Sequence, residues 1–145
     1  MFHRALRTLA ALGLIACSAA ANAQAISYVV LKGKTFYVEL AENDEQHMRG
    51  LMFREQMAPD RGMFFIFRDE FMQAFWMKNT LIPLDMLYFD KSFHVVSVQS
   101  NVPPCKADPC PSYPSSGPAK YVLELNGGTA DKLGVKPGDA LEFHR

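Results

Sequence analysis

The chain predicts an α+β fold, mainly β: one compact domain of seven or eight short, mostly antiparallel strands, barrel-like or two-layer, with two short helices. Three observations carry this. Strand-like runs follow one another with little helix between them, which favours antiparallel neighbours. Only two segments show helical start signals and spacing. The 145 residues suffice for one domain and not comfortably for two.

The first 23 residues are not part of that fold. "MFHRALR" is a short basic leader and "TLAALGLIA" an apolar run of signal-peptide length, too short for a permanent membrane span. "ANA", Ala21 to Ala23, places small residues where a signal peptidase reads. Export with cleavage after Ala23 is expected, leaving residues 24–145 as a single β-rich domain in the periplasm or outside the cell. "LIAC", Leu14 to Cys17, is an overlapping lipobox, so a lipoprotein anchored at Cys17 is the alternative.

"ISYVVLKGKTFYVELA" reads as two strands around a Lys-Gly-Lys turn; in the second, Phe36, Val38 and Leu40 alternate with Thr35, Tyr37 and Glu39. The period then changes. Asn43 stands where a helix N-cap belongs and Gln46 follows three residues later, a capping box. Met48, Leu51, Met52 and Glu55 continue at helical spacing, with Gly50 in mid-pattern. "GMFFIFR" reads as a buried strand, "DEF" as an interruption and "MQAFWMKNT" as the next strand. "LDMLYFD" and "HVVSVQSNV" follow. "PPCKADPCPSYPSSGP" reads as a long ordered loop, "AKYVLELN" as a strand and "GGTADKLG" as a short helix. "VKPGDALEFH" is a Pro-Gly turn into a last strand.

Charge and cysteines narrow the function classes. Acidic and basic residues balance over the whole chain, 15 against 15. Loss of Arg4 and Arg7 with the leader leaves a net charge of about −2, which is not the basic footprint of a nucleic-acid binder. Cys105 and Cys110 remain as an even pair in an exported protein, where a disulfide is the default. Four residues separate them, not the two of a redox Cys-x-x-Cys motif, and no helix opens there to activate a thiol.

"RGLMFRE", "GMFFIF", "FWMKNTLIPLDMLYFD", "YVLELNGG" and "GVKPGD" occur in an order that resembles the family known as domain of unknown function 192, found in bacteria and archaea. The resemblance covers nearly all of the chain after the leader. It implies a compact β-rich α+β domain, often exported, and brings no established reaction with it.

The residues themselves suggest where chemistry could reside. Asp85 lies in an apolar strand between Leu84 and Met86 and must find a partner or cost several kcal/mol, roughly 2–7 even for a neutral polar group. Arg49 and Arg54 are its expected partners, since guanidinium suits bidentate carboxylate pairing; Lys78 is a third. Pro83 cannot donate to a sheet, so the bend before it presents Lys78, Asn79 and Thr80. Together Arg49, Arg54, Lys78, Asn79, Thr80 and Asp85 form the expected ligand-binding set. Seven methionines between Met48 and Met86, beside His47, are a donor set for Cu(I), but their positions are those of core gap-fillers. Glu55, Asp85 and Glu124 are available as glycosidase-type carboxylates, with nothing marking two of them as a pair. No cofactor, zinc-finger or nucleophile-elbow motif occurs.

The function expected is therefore that of a non-catalytic binding or accessory module, its polar cleft taking a polar or anionic small molecule, a glycan or an envelope protein. A hydrolase-type enzyme using Asp85 with the basic residues is the alternative, and soft-metal handling the third reading.

Overall fold

The structure, a computed structural model, describes residues 26–145. The expected leader, with its expected cleavage after Ala23 and the alternative anchor at Cys17, lies outside the described residues. Seven strands and two short helices follow in the order β1 (Tyr28–Leu31), β2 (Lys34–Ala41), α1 (Asp44–Arg49), β3 (Arg61–Trp76), β4 (Leu84–Phe89), β5 (Val95–Val102), β6 (Ser112–Asn126), α2 (Thr129–Leu133) and β7 (Leu141–His144). All strands join one sheet in the order β5-β4-β6-β3-β2-β1-β7. Every pairing is antiparallel except β2 with β3. The sheet curls into a half-barrel. Its outer strands approach where the Val95 N–H donates to Asp139 and the Leu141 N–H to Phe93, across 2.8 and 2.9 Å.

The β1–β2 hairpin turns on Lys32 and Gly33, both at positive φ (53° and 75°), the conformation a two-residue hairpin loop requires. Asn43 caps α1 as its position predicts, its Oδ1 accepting the Gln46 N–H at 2.9 Å. The Gln46 side chain reaches back to the N–H of Glu42, one residue earlier than in a regular capping box. The expected helix past Gly50 does not form. Gly50 ends α1 at φ 44°, ψ −132°, and the chain turns so that Leu51, 2% exposed, enters the core, whereas α1 itself buries no residue.

Two further expectations are corrected. The segments on either side of "DEF" belong to one bent strand, β3, whose pairing with β6 shifts register between Ile66 and Phe71 and again between Met72 and Ala74; the polar interruption marks bulges rather than a strand end. The long loop is shorter than expected, because β6 already begins at Ser112. Pro114 and Pro118 fit in that strand because its other side carries side-chain bridges instead of a regular ladder. Gln99 Nε2 donates to the Pro114 carbonyl, and the Ser116 N–H donates to Ser97 Oγ. Cys105 and Cys110 form the expected disulfide within the remaining loop.

The central strands are buried on both faces. Phe64, Leu87, Leu123 and Leu125 pack on one side with Val29, Phe36 and Ala130. Phe65, Met86, Tyr88 and Val122 pack on the other with Leu51, Met63 and Met77. At roughly 1.5–3 kcal/mol for each large side chain, this two-sided burial is the main source of stability. Asp85 and Glu124 are the two carboxylates that the central strands β4 and β6 bury.

Candidate functional site

Alternation along the strands sends the two buried carboxylates to opposite faces. Asp85 shares a face with Leu87 and Phe89. Glu124 pairs across the sheet with Met86 on one side and Met63 on the other, so its neighbours are thioethers and aromatic rings. The two cannot act as a glycosidase pair, because the sheet lies between them.

Among the described residues, Asp85 finds neither an Arg nor a Lys. Its Oδ1 accepts the backbone N–H groups of Asn101 at 2.6 Å and Gly128 at 2.8 Å, and its Oδ2 accepts that of Ala130 at 2.6 Å. The expectation of a basic partner is thus corrected. Three oriented amides solvate the carboxylate instead, tying β4 to β5 and to the start of α2. Arg54 holds Glu39 in a bidentate pair at 2.6 and 3.0 Å. Lys78 sits 3.4 Å from Asp108 and over the Trp76 ring. Asn79, at φ 53°, accepts the Phe53 N–H on its carbonyl. Thr80 is buried and donates to the Lys78 carbonyl.

The expected single polar cleft is in fact two. Lys78 and Asn79 line a groove with Cys105, Lys106 and Asp108, beside the disulfide. Arg49 and Thr80 line a different, narrow cleft under α1, whose volume is about 20 Å³ and which reaches Phe65 and Glu124. That cleft opens through His47, Met48, Phe75 and Trp76 into an outer groove of about 240 Å³ completed by Phe67, Gln73 and Ala74. Met48 and Trp76 stand at its mouth, 70% and 47% exposed. His47 is held in place by an Nε2–H donated to the Ala41 carbonyl at 3.0 Å and by its ring against Phe67.

Glu124 is the unusual group. It is 4% exposed, and among the described residues its Oε2 has no hydrogen-bond partner. Burial alone pushes its carboxyl up to about 8, since a desolvated carboxylate is costly without a donor. Arg49 lines the same cleft, but among the described residues no hydrogen bond or ion pair joins the two. Gly50 roofs the carboxyl: a Cβ there would lie 3.8 Å from Oε2 and 3.4 Å from Phe65. In the sequence Glu124 ranks only as one of three carboxylates. The signal that singles it out is its place between Leu123 and Leu125, the same setting that draws attention to Asp85. Of the seven methionines, Met63, Met77 and Met86 fill the core as expected, whereas Met48 and Met72 are exposed and Met52 and Met57 half-buried.

A β-rich half-barrel with these motifs defines a family, and the chain belongs to it: residues 28–143 match domain of unknown function 192, described as "Uncharacterized ACR". Two crystal structures are similar. A protein of unknown function from Novosphingobium aromaticivorans is 37% identical with a TM-score of 0.73, over 81% of this chain and 83% of that one. A Sinorhizobium meliloti protein described as a candidate transcription regulator is 43% identical with a TM-score of 0.70, over 81% and 91%. No curated protein matches the chain.

Proposed function

We propose that this protein is an exported, non-catalytic binding module that takes a polar ligand, free or displayed on a glycan or envelope protein, into the cleft over Glu124. The observation that carries the reading is a cleft with aromatic walls lined at its base by Glu124, a buried carboxyl whose Oε2 has no hydrogen-bond partner among the described residues. Natural cores rarely leave such a group orphaned, and where they do a role or a bound group is the usual reason. An anionic part of the ligand would meet Arg49 at the cleft mouth, not Glu124 at its base. Export is supported by the basic leader, apolar run and Ala-Asn-Ala signal of the first 23 residues.

The catalytic alternative draws support from one feature. A carboxyl that titrates near 8 is suited to general acid–base work at neutral pH. In that reading the role passes from Asp85, whose oxygens are taken by backbone amides, to Glu124.

NMR with a small fragment set of alkyl amines, alcohols, amides and carboxylates tests the binding reading. Shifts are expected at the Trp76 indole N–H and the Gly50 and Leu51 amides. A set in which no fragment moves these signals at millimolar concentration removes the cleft as a ligand site.

A further inference from the structure

Resting on that reading of the cleft, we propose that the group bound at Glu124 is the ammonium of a primary amine, carried on an apolar stem that lies in the outer groove. Size is the first argument. The inner cleft, about 20 Å³, has room for one water-sized group. An ammonium or a hydroxyl fits beside Glu124; a carboxylate or phosphate does not.

The walls separate the ammonium from the hydroxyl. Phe65, Phe75 and Trp76 line the cleft, and aromatic faces attract cations without a comparable pull on a neutral hydroxyl. Trp76 already accepts an ammonium within this molecule, with Lys78 Nζ 5.7 Å from its ring centroid. At the base lies the Glu124 carboxyl, whose Oε2 has no donor among the described residues, and an ammonium has three donors and no acceptor. The outer groove continues from the same His47, Met48, Phe75 and Trp76, and its volume of about 240 Å³ accommodates a short hydrocarbon chain.

Binding changes the charge on Glu124. The empty site holds a protonated carboxyl below about pH 8. An ammonium against it draws that proton into solvent, so the bound state is an ion pair and one H⁺ is released. The other titratable groups facing the carboxyl are His47 and Arg49 on α1 and Tyr88 on β4, whose hydroxyl is pushed up by burial and by Glu124. Tyr88 stays protonated throughout. Arg49 is a competing cation at the cleft mouth.

Calorimetry with n-butylamine, n-butanol and butyrate, three probes sharing one stem, tests the assignment on the full domain. n-Butylamine is expected to bind and to release about 0.9 proton at pH 7, read from buffers of different ionisation enthalpy. Its affinity should rise roughly tenfold per pH unit from pH 6 to 8 and then level off. Glu124→Gln should weaken binding at least tenfold and abolish proton release while leaving Trp76 fluorescence unchanged. Arg49→Gln should tighten binding. Preference for butanol or butyrate, weakening by Arg49→Gln, or an undiminished Glu124→Gln each overturns the ammonium assignment and leaves the cleft itself standing. Absence of binding by all three probes overturns the assignment too, with the fragment screen then deciding the cleft. Cadaverine and an Nα-acetyl-lysine amide distinguish a free diamine from a protein's lysine side chain; tight binding of either supports the ammonium.

Discussion

Asp85 and Ala130 are joined across 45 residues by a 2.6 Å hydrogen bond, the Ala130 N–H donating to the Asp85 carboxylate. Asn101 and Gly128 donate to the other oxygen of the same carboxylate. A short helix, a glycine turn and a strand end are thereby fixed by one buried side chain. Asp85→Asn keeps an acceptor for two of these amides but sets an NH₂ against the third. A loss of about 2–3 kcal/mol is expected, and more for Asp85→Ala, which orphans all three. Urea unfolding midpoints measure it. A loss below 0.5 kcal/mol, about the size of an ordinary surface substitution, would show that water replaces the carboxylate easily.

Glu124 gives stability a pH dependence of the less usual sign. Its folded carboxyl titrates near 8, above the unfolded value near 4.5, so the folded state binds the extra proton. The stability this group contributes is complete below about pH 4.5 and is lost as pH rises to about 8, by on the order of 5 kcal/mol in total. Glu124→Gln should remove that slope, so the variant's advantage over the natural protein grows between pH 5 and 8 and is constant above. Parallel pH profiles of the two proteins in guanidinium would show it, and parallel curves would place the carboxyl's pKa near its ordinary value.

Gly62 is required by close approach. A Cβ there would lie 2.6 Å from the Glu124 carbonyl oxygen and 2.8 Å from Leu125 Cδ2, inside van der Waals contact with backbone that cannot yield alone. Gly62→Ala should cost about 1–3 kcal/mol and shift the amide resonances of Glu124 and Leu125. Gly33→Ala, by contrast, meets nothing within 4 Å and is penalised only through its positive φ.

The Cys105–Cys110 disulfide closes a small loop, so its loss should lower stability by about 2 kcal/mol. A Cys105→Ser, Cys110→Ser double variant compared with the parent by thermal melting checks the value. The Lys78–Asp108 contact should loosen with it, while the Glu124 cleft, which that loop does not line, keeps its probe binding.

Arg54 and Glu39 form a bidentate ion pair, yet both are partly exposed. Arg54→Met should therefore cost no more than about 1 kcal/mol, a cost that shrinks in 1 M salt. Denaturation at two ionic strengths decides it.

What could be read from residues alone was local or periodic. The capping role of Asn43 depends on a residue three places away, and the strand "LDMLYF" on its apolar run. That Asp85 needs a partner was equally legible. Its partners were not, because they are backbone amides 16, 43 and 45 residues distant, and side-chain chemistry gives no hint of them. Glu124 offers one local sign, its place between Leu123 and Leu125, but not the depth of its burial. Its burial is created by Met63 and Met86 from strands that sequence adjacency does not bring together. The end of α1 and the continuity of β3 are not legible in the sequence, because a glycine and a polar triplet each permit two outcomes. Tertiary packing chose between them by drawing Leu51 inward and by bulging the strand.

β2 accompanies β3 only as far as Phe65, so Phe71–Trp76 are laddered on one side alone, to a stretch of β6 in which Pro114 and Pro118 bring no N–H. Local stability therefore falls along a single strand. Amides of residues 71–76 should exchange with solvent by small openings well before those of 63–65, which exchange only when the whole domain unfolds. The cleft straddles that gradient, with Phe65 and Glu124 on the firm side and Phe75 and Trp76 on the loose one. A ligand spanning both would act as a brace, and its occupancy would register as slowed exchange confined to the outer half of the strand.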